Sequence, residues 1–378
     1  MEHVERVLRA VNLKEPDRVP IDLGGPISGI HKIAYERLKD YLGYRELPVV
    51  VWDVMQQLAE IDERILDRFD VDFRHLRLNP PSKEEVKIIS EDCLVNEFGL
   101  TLKRCGYYFE MVEEKAPLHD VKSVADVERY KGPEPHEGRL KGLREKAKEL
   151  SEKGFAVTFD AFTGGILELA VWLRGFKKFY YDFVVNPEFS NALLDKALEI
   201  HKRFWGAILN EVGDYIHIVL YGDDYGMQHG MLMSPKMWRE RIKPRLKELI
   251  SFIKKQAKVK FQIHSCGSIR PIIGDLAEVG VDILNPVQPK AKDMDSFELK
   301  REFGDRICFH GGIDIQWVLP CGSPKDVEEE VKTRIKAFAP GGGYILATAH
   351  NIQADVPPEN IVAMYEAAHK YGRYPIQL

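Results

Sequence analysis

The sequence predicts an α/β fold, a single (β/α)8 (TIM) barrel that spans residues 1–378. Three observations predict it. Short apolar runs alternate with amphipathic helical stretches, the number of such runs is eight, and no linker, low-complexity tract or repeat divides the chain. Alternation of strand and helix is typical of a parallel sheet, and eight repeats close such a sheet into a barrel.

The eight predicted strands are runs of strand length in which β-branched and aromatic residues dominate. They cover residues 18–23, 71–76, 155–160, 216–221, 259–264, 281–285, 306–310 and 343–347. Several predicted helices between them open at Ser, Asp or Pro, residue types that favour a helix start. The clearest cover residues 186–211, 235–254, 269–279, 324–338 and 357–370.

Residues 79–114 interrupt this alternation. Within them, residues 86–95 and 100–112 have the alternating pattern of two antiparallel strands. We therefore predict a hairpin inserted after the second barrel strand, and we expect it to act as a lid or as a contact for a partner.

The charge balance excludes two classes of partner. The chain has 54 Lys and Arg against 59 Asp and Glu, a formal net charge of −5 with both signs interspersed. Such a chain presents no basic surface for nucleic acid or for an anionic membrane. The residues that follow Met1 form no apolar signal segment, and no apolar run approaches the roughly 18 residues that span a bilayer. We expect a cytoplasmic location.

The cysteines predict reduced thiols rather than disulfides. Five is an odd number, their spacing is irregular, and the chain is long enough to build its own core. Reduced thiols are available for metal or redox chemistry. The five are Cys93, Cys105, Cys266, Cys308 and Cys321.

Active sites of (β/α)8 barrels lie at the carboxyl ends of the strands. Every predicted strand end carries a polar side chain, and most of these can bind a metal or transfer a proton. The residues are Asp22, His75, Asp160, Asp223, Asp224, His264, Cys266, Asn285, His310 and His350. Among them we predict Asp22, Asp160, Asn285 and His310 as substrate contacts. The alternative is that strands often end in polar turn residues without any function.

The sharpest local feature is His264-Ser265-Cys266, in which a buried strand delivers His and Cys into a glycine-containing turn. Side chains two residues apart in an extended segment point the same way, so both can bind one zinc ion. A catalytic zinc usually has three protein ligands. The candidates for the third are His350, which we prefer, and Cys321, with Glu168 as an exchangeable fourth ligand. The alternative is a hydrogen-bonded core histidine beside a small buried cysteine.

Two adjacent carboxylates, Asp223 and Asp224, follow the fourth predicted strand between glycines. Adjacent residues in extended chain point to opposite sides, so at most one should face the cavity. We predict a catalytic role for the pair, in proton transfer or in orienting a metal-bound histidine. A structural Asx turn is the alternative.

Together these motifs resemble the uroporphyrinogen decarboxylase superfamily over nearly the whole chain. The resemblance rests on residues 6–10 and 15–20, Gly222-Asp223-Asp224, His264-Ser265-Cys266-Gly267-Ser268, residues 280–286, and residues 340–344 with 349–352. The superfamily has a (β/α)8 barrel fold, which agrees with the predicted strand count.

The resemblance is nearer to the corrinoid-dependent methyltransferase branch than to true decarboxylases. Decarboxylases carry an arginine-rich stretch after the first strand, for a substrate with eight carboxylates, whereas residues 22–30 contain no Arg or Lys. The methyltransferase branch implies zinc held by His-x-Cys and a distant Cys, and His264 and Cys266 match that pair. His350 stands where the distant Cys is expected, which is a departure from the pattern.

The function that this branch implies is transfer of a methyl group between a corrinoid and a thiol or pterin, assisted by zinc. No Asp-x-His-x-x-Gly motif for cobalamin occurs in the chain, so the resemblance implies a corrinoid protein as partner. Two alternatives remain open. One is a uroporphyrinogen decarboxylase-like decarboxylase, and the other is a non-catalytic corrinoid- or tetrapyrrole-binding protein.

Overall fold

A computed structural model describes all residues from Met1 to Leu378. Its centre is a curled sheet of seven parallel strands in the order β15-β14-β13-β12-β9-β8-β3. The strands of the molecule are β1 (Val51–Asp53), β2 (Leu58–Ala59), β3 (Phe73–Leu76), β4 (Lys87–Ser90), β5 (Cys93–Val95), β6 (Thr101–Cys105), β7 (Tyr108–Met111), β8 (Ala156–Phe159), β9 (Ile218–Gly222), β10 (Gly226–Met227), β11 (Gly230–Met231), β12 (Lys260–His264), β13 (Ile283–Asn285), β14 (Cys308–His310) and β15 (Tyr344–Ile345).

Helices follow the barrel strands along the chain, as predicted. They are α1 (His3–Val11), α2 (Gly25–Ser28), α3 (Lys32–Tyr41), α4 (Glu63–Arg68), α5 (Val124–Arg129), α6 (Glu137–Leu140), α7 (Leu143–Glu152), α8 (Ile166–Arg174), α9 (Phe176–Val185), α10 (Pro187–Val212), α11 (Pro235–Arg241), α12 (Lys243–Gln256), α13 (Arg270–Val279), α14 (Ser296–Phe303), α15 (Val318–Cys321), α16 (Pro324–Phe338) and α17 (Pro358–Tyr371). A 3-10 turn covers Glu113–Lys115.

The predicted first strand, residues 18–23, closes the ring without forming a regular strand. Ile21 makes one parallel bridge to Leu346, and its carbonyl accepts a hydrogen bond of 3.0 Å from the backbone N–H of Asp72. Two features stop the ladder there. Pro20 has no N–H to donate, and the N–H of Ile21 donates to the side chain of Asp72 at 2.8 Å. The eighth position of the barrel is thus filled by an extended segment.

The inserted element differs from the predicted hairpin. Residues 87–111 form a four-stranded antiparallel meander in the order β4-β5-β6-β7. Each predicted arm is itself a hairpin, because residues 90–93 and 105–108 turn back on themselves, the second turn with Gly106 at φ +60°. A single predicted helix, 235–254, is likewise two helices, because Pro244 has no N–H to continue the hydrogen bonds of α11 and stands instead in the first turn of α12.

One hydrophobic cluster of 96 buried residues joins strands and helices, so side chains at the strand ends rest on a continuous core. Its largest fully buried members include Trp205, Trp238 and Tyr365. Among the helices, none combines the length and the apolarity that crossing a membrane requires.

Candidate metal centre

A cavity of about 490 Å³ opens over the carboxyl ends of the barrel strands. Strand-end residues lie at its base, among them Asp224, His264 and His350. Its walls are largely apolar and come from the meander, the segment around β1, and the loop and helix after β8. The principal wall residues are Trp52, Met55, Leu94, Phe98, Leu102 and Trp172. The cavity therefore combines a polar base with apolar walls.

His264, Cys266 and His350 form a group in which one ligand atom from each lies within 4.8 Å of the others. His264 ends β12, Cys266 follows two residues later, and His350 follows the last barrel strand. His264 Nε2 lies 3.3 Å from Cys266 Sγ, and the His264 and His350 rings are 5.4 Å apart at 73°. Cys321 is exposed on α15 and is not in this group. The geometry favours His350 over Cys321.

The protonation states of the group suit a metal. Burial, followed by the neighbouring His264, lowers the pKa of His350 to about 3, so its imidazole is neutral with a free lone pair. Burial, followed by the charges of Asp224 and Glu168, raises the pKa of the Cys266 thiol well above its usual range. Without a cation the thiol is protonated, and a bound metal would be required to make it a thiolate.

Two carboxylates accompany the group. Asp224 Oδ1 lies 3.8 Å from His264 Nε2 and accepts a hydrogen bond of 2.7 Å from the backbone N–H of Cys266. Glu168, in the first turn of α8, also lines the cavity. Burial, followed by the charges of Asp224 and Asp223, raises the pKa of Glu168 well above its usual range. A divalent cation here would relieve this crowding of negative charge.

Asp223 and Asp224 point in different directions, as their adjacency predicts. Asp224 lines the cavity, whereas Asp223 is fully buried and anchors the start of α8. Both oxygens of Asp223 accept backbone N–H groups, from Leu167 at 3.1 Å and from Glu168 at 2.9 Å. The hydroxyls of Tyr221 and Tyr225 donate to it at 2.8 and 3.0 Å. Burial raises the pKa of Asp223 to about 6, although the four hydrogen bonds that it accepts act to lower it. Asp223 thereby holds Glu168 in place.

The contact between Asp223 and α8 is so close that only glycine fits at residue 165. A Cβ there would lie 2.4 Å from Cβ and Cγ of Asp223 and 2.6 Å from the carbonyl oxygen of Gly222. Gly165→Ala must therefore push α8 away, and we expect a loss of about 1–3 kcal/mol in the free energy of unfolding. Urea unfolding measures it. The matched control is Gly206→Ala inside α10, where the new Cβ would make an ordinary 3.5 Å contact with Phe252. Equal stability changes in the two variants would contradict the prediction.

The four residues predicted as substrate contacts lie below the cavity. Asp22, Asp160, Asn285 and His310 are each at most 1% exposed, and none of them lines the cavity. Asp160, Asp22, Asn285 and His310 hydrogen-bond to one another through His75 and through direct contacts. Their role as substrate contacts remains a prediction.

Sequence reasoning missed the aromatic walls and the tyrosines that hold Asp223. Trp52 lies on β1, Phe98 on the meander and Trp172 on α8, so none of them is at the end of a barrel strand. Tyr221 and Tyr225 lie within two residues of Asp223 in the sequence Tyr-Gly-Asp-Asp-Tyr, and that closeness could have indicated them as its hydrogen-bond donors.

Comparisons with known proteins agree with this architecture. The family model described as uroporphyrinogen decarboxylase (URO-D) matches residues 94–371. The chain is similar to uroporphyrinogen decarboxylase of Pseudoalteromonas atlantica, with 23% identity over 71% of this chain and 74% of that protein. It is similar to the enzyme of the same name from an Enterobacter species, with 26% identity over the same shares.

Among solved structures, the chain is similar to a methyltransferase from Methanosarcina mazei. The TM-score is 0.69 at 19% sequence identity, and the match covers 98% of this chain and 99% of that one. At this identity the likeness establishes the barrel fold and leaves the reaction to be argued from the residues.

Proposed function

The chain belongs to the uroporphyrinogen decarboxylase (URO-D) family, and from that premise we propose that it is a zinc-assisted methyltransferase. It would move a methyl group between a corrinoid and a thiol or pterin acceptor. The observation that carries the proposal is the group His264, Cys266 and His350 at the base of an apolar-walled cavity. Three protein ligands and a cavity above them are the arrangement of a catalytic zinc, which keeps one position for substrate.

The three side chains fit zinc. Tetrahedral zinc with bonds of about 2.0 and 2.3 Å to nitrogen and sulfur separates those two ligand atoms by roughly 3.5 Å. His264 Nε2 and Cys266 Sγ lie 3.3 Å apart, so little movement would be needed. Two neutral imidazoles and one thiolate carry a single negative charge. Asp224 and Glu168 add further negative charge nearby and support binding of a divalent cation.

A bound zinc ion would lower the pKa of a substrate thiol that takes the coordination position left free by the protein. The protein's own residues do the rest. Asp224 accepts the N–H of Cys266 and fixes the turn that carries the thiol. Glu168 lines the cavity and has a pKa raised well above its usual range, so its carboxylate is placed to take up the proton that the acceptor loses. The largely apolar walls of the cavity disfavour water around these groups.

The charge of the cavity argues against the decarboxylase alternative, which the names of the similar enzymes favour. None of the 25 lining residues is Lys or Arg, and four of them are acidic: Asp53, Glu97, Glu168 and Asp224. A substrate with eight carboxylates requires fixed cations to bind. A neutral or thiol-bearing acceptor does not.

The corrinoid would arrive on a partner protein that docks at the cavity mouth. Exposed apolar side chains occur in three loops that follow barrel strands, and Ile88, Tyr107, Met227 and Trp317 are each more than half exposed. These loops leave the carboxyl ends of the barrel strands, the side on which the cavity opens, and exposed apolar side chains that lie together are typical of interaction surfaces. The meander (residues 87–111) contributes two of them and is the proposed contact.

The test is an anaerobic assay with free methylcobalamin as methyl donor and 2-mercaptoethanol or tetrahydrofolate as acceptor. We expect acceptor-dependent loss of the methylcobalamin absorbance, and we expect it to disappear in His264→Ala. A parallel assay offers uroporphyrinogen and measures the carboxyl groups lost. Decarboxylation without methyl transfer would overturn the proposal in favour of a decarboxylase. Corrinoid binding without either reaction would point to a binding protein.

A further inference from the structure

A continuous chain of hydrogen bonds runs beneath the proposed metal centre and ends on one of its ligands. Asp22 Oδ2 lies 2.8 Å from His310 Nε2, and His310 Nδ1 lies 2.7 Å from Asn285 Nδ2. Asn285 Oδ1 lies 2.5 Å from His264 Nδ1. Asp22, His310 and Asn285 are at most 1% exposed, so water does not compete for these bonds.

The chain starts from a group that can only accept. Asp22 faces His75, which sits between Asp22 and Asp160 with nitrogen–oxygen distances of 3.0 and 2.6 Å. Burial opposes charge on His75, but the two carboxylates outweigh it and raise its pKa to about 10. Burial also opposes charge on Asp22, but His75 and His310 outweigh it, so the pKa of Asp22 lies below its usual range. Asp22 is therefore ionised and accepts from His310 Nε2–H.

Donor and acceptor roles then follow in order along the chain. The amide nitrogen of Asn285 can only donate, so His310 Nδ1, 2.7 Å from it, is the acceptor, and the proton of His310 lies on Nε2 toward Asp22. This fixes the orientation of the Asn285 carboxamide and turns its oxygen toward His264. That oxygen can only accept, so the proton of His264 lies on Nδ1. His264 Nε2 is left with a lone pair, and it faces Cys266 Sγ at 3.3 Å.

We propose that Asp22, His310 and Asn285 are positioning residues that hold the proton of His264 on Nδ1 and keep its Nε2 lone pair directed at the metal. The inference rests on the proposed metal centre for its purpose, but the tautomer itself is a property of the metal-free chain. Strand register supports the arrangement. β12 and β13 pair His264 with Asn285, so the two side chains lie side by side on neighbouring parallel strands.

The opposite assignment makes the proposal falsifiable. If the carboxamide of Asn285 were turned over, its nitrogen would donate to His264 Nδ1, and the proton of His264 would move to Nε2. That nitrogen could then no longer bind a metal without losing a proton. The two arrangements differ in one observable, which is the ring nitrogen of His264 that carries hydrogen.

The experiment is 15N NMR of the zinc-free, histidine-labelled protein at about pH 8, above the ordinary histidine pKa. The resonances of His264 are assigned among the 12 histidines by their loss in His264→Gln. We expect the wild-type protein to show hydrogen on Nδ1. Hydrogen on Nε2 overturns the proposal, whether or not the protein binds zinc. Hydrogen on Nδ1 with no zinc binding leaves the tautomer inference intact and instead removes the proposed function.

Variants separate positioning from folding. Asn285→Leu removes both bonds, and we expect mixed tautomers and about 10- to 100-fold weaker zinc binding. Asn285→Asp keeps an acceptor on His264 Nδ1 and should restore the tautomer. The matched control is Asn360→Leu, which removes a buried amide that bonds to Leu319 and Gly322 away from the site. It should leave tautomer and zinc affinity unchanged.

Two results would overturn the inference: unchanged tautomer and zinc affinity in Asn285→Leu, or equal losses in Asn360→Leu. Should Asn285→Leu fail to fold, His310→Leu tests the same chain one bond further from His264. We expect it to free the carboxamide and to give the same mixed tautomers.

Discussion

We expect Cys266→Ser to give a folded protein that holds less than about a tenth of the wild-type zinc. The fold should survive because Cys266 is a neutral thiol when no metal is present, and serine is smaller and equally neutral. Zinc should be lost because a serine hydroxyl does not ionise to replace a thiolate ligand. Loss of a residue that only orients a metal ligand lowers metal affinity by about 10- to 100-fold. Loss of a ligand itself should cost more, so we expect zinc affinity to fall at least ~100-fold. Metal analysis measures the zinc content, and competition with a chelating dye measures the zinc affinity.

The matched control is Cys321→Ser, the other thiol considered as a ligand. Cys321 is exposed at the end of a four-residue helix, outside the ligand group. We expect it to retain full zinc content and full methyl transfer. Zinc that persists in Cys266→Ser and disappears in Cys321→Ser would contradict the assignment of the site. Zinc in neither wild type nor variants would remove the metal from the proposed mechanism.

The positions of the barrel strands were predictable because each is a short β-branched run between helices, and seven of the eight predicted runs overlap an observed barrel strand. The eighth, residues 18–23, differs for a reason that lies outside its own sequence. The N–H of Ile21 is taken by the side chain of Asp72, which is 51 residues away. Local propensity carries no information about such a partner.

The proximity of His264, Cys266 and His350 was predictable from the strand ends, since the barrel fold brings those ends together. Which strand-end residues line the cavity was not. His264, Asn285 and His310 all end strands, yet only His264 lines the cavity, while the others lie beneath it. His264 pairs with Asn285 in the strand register, so a difference in register does not separate them. Which strand ends stay open to the cavity depends on how the loops pack over them, and a single sequence does not specify that packing.

Asp72→Asn is expected to destabilise the fold by about 3–5 kcal/mol, the range for breaking a buried ion pair. The Asp72 carboxylate is fully buried and accepts from Arg6 and Arg18 at 2.7 Å each and from the N–H of Ile21 at 2.8 Å. An asparagine keeps the shape but removes the charge, so two largely buried guanidinium groups lose their common partner. Urea unfolding at neutral pH measures the loss.

Asp70→Asn is the matched control, because Asp70 pairs with the same Arg18 at 2.7 Å but is 52% exposed. Exposed pairs contribute at most about 1 kcal/mol, so we expect a small change there. Asparagine also tolerates the left-handed backbone at residue 70, where φ is +48°. Equal losses in the two variants would show that burial of Asp72 is not the cause.

The pH dependence of stability tests whether Asp72 stabilises the fold through its charge. Despite burial, the hydrogen bond from His3 and the charge of Arg18 keep the pKa of Asp72 below its usual range. A group whose pKa is lower in the folded state stabilises above its unfolded pKa, about 3.9 for Asp, and loses that contribution as pH falls through the folded pKa. The difference in unfolding free energy between wild type and Asp72→Asn should therefore narrow as pH falls below about 4. A difference that does not narrow there would mean that the charge of the carboxylate does not clamp the segment that closes the barrel.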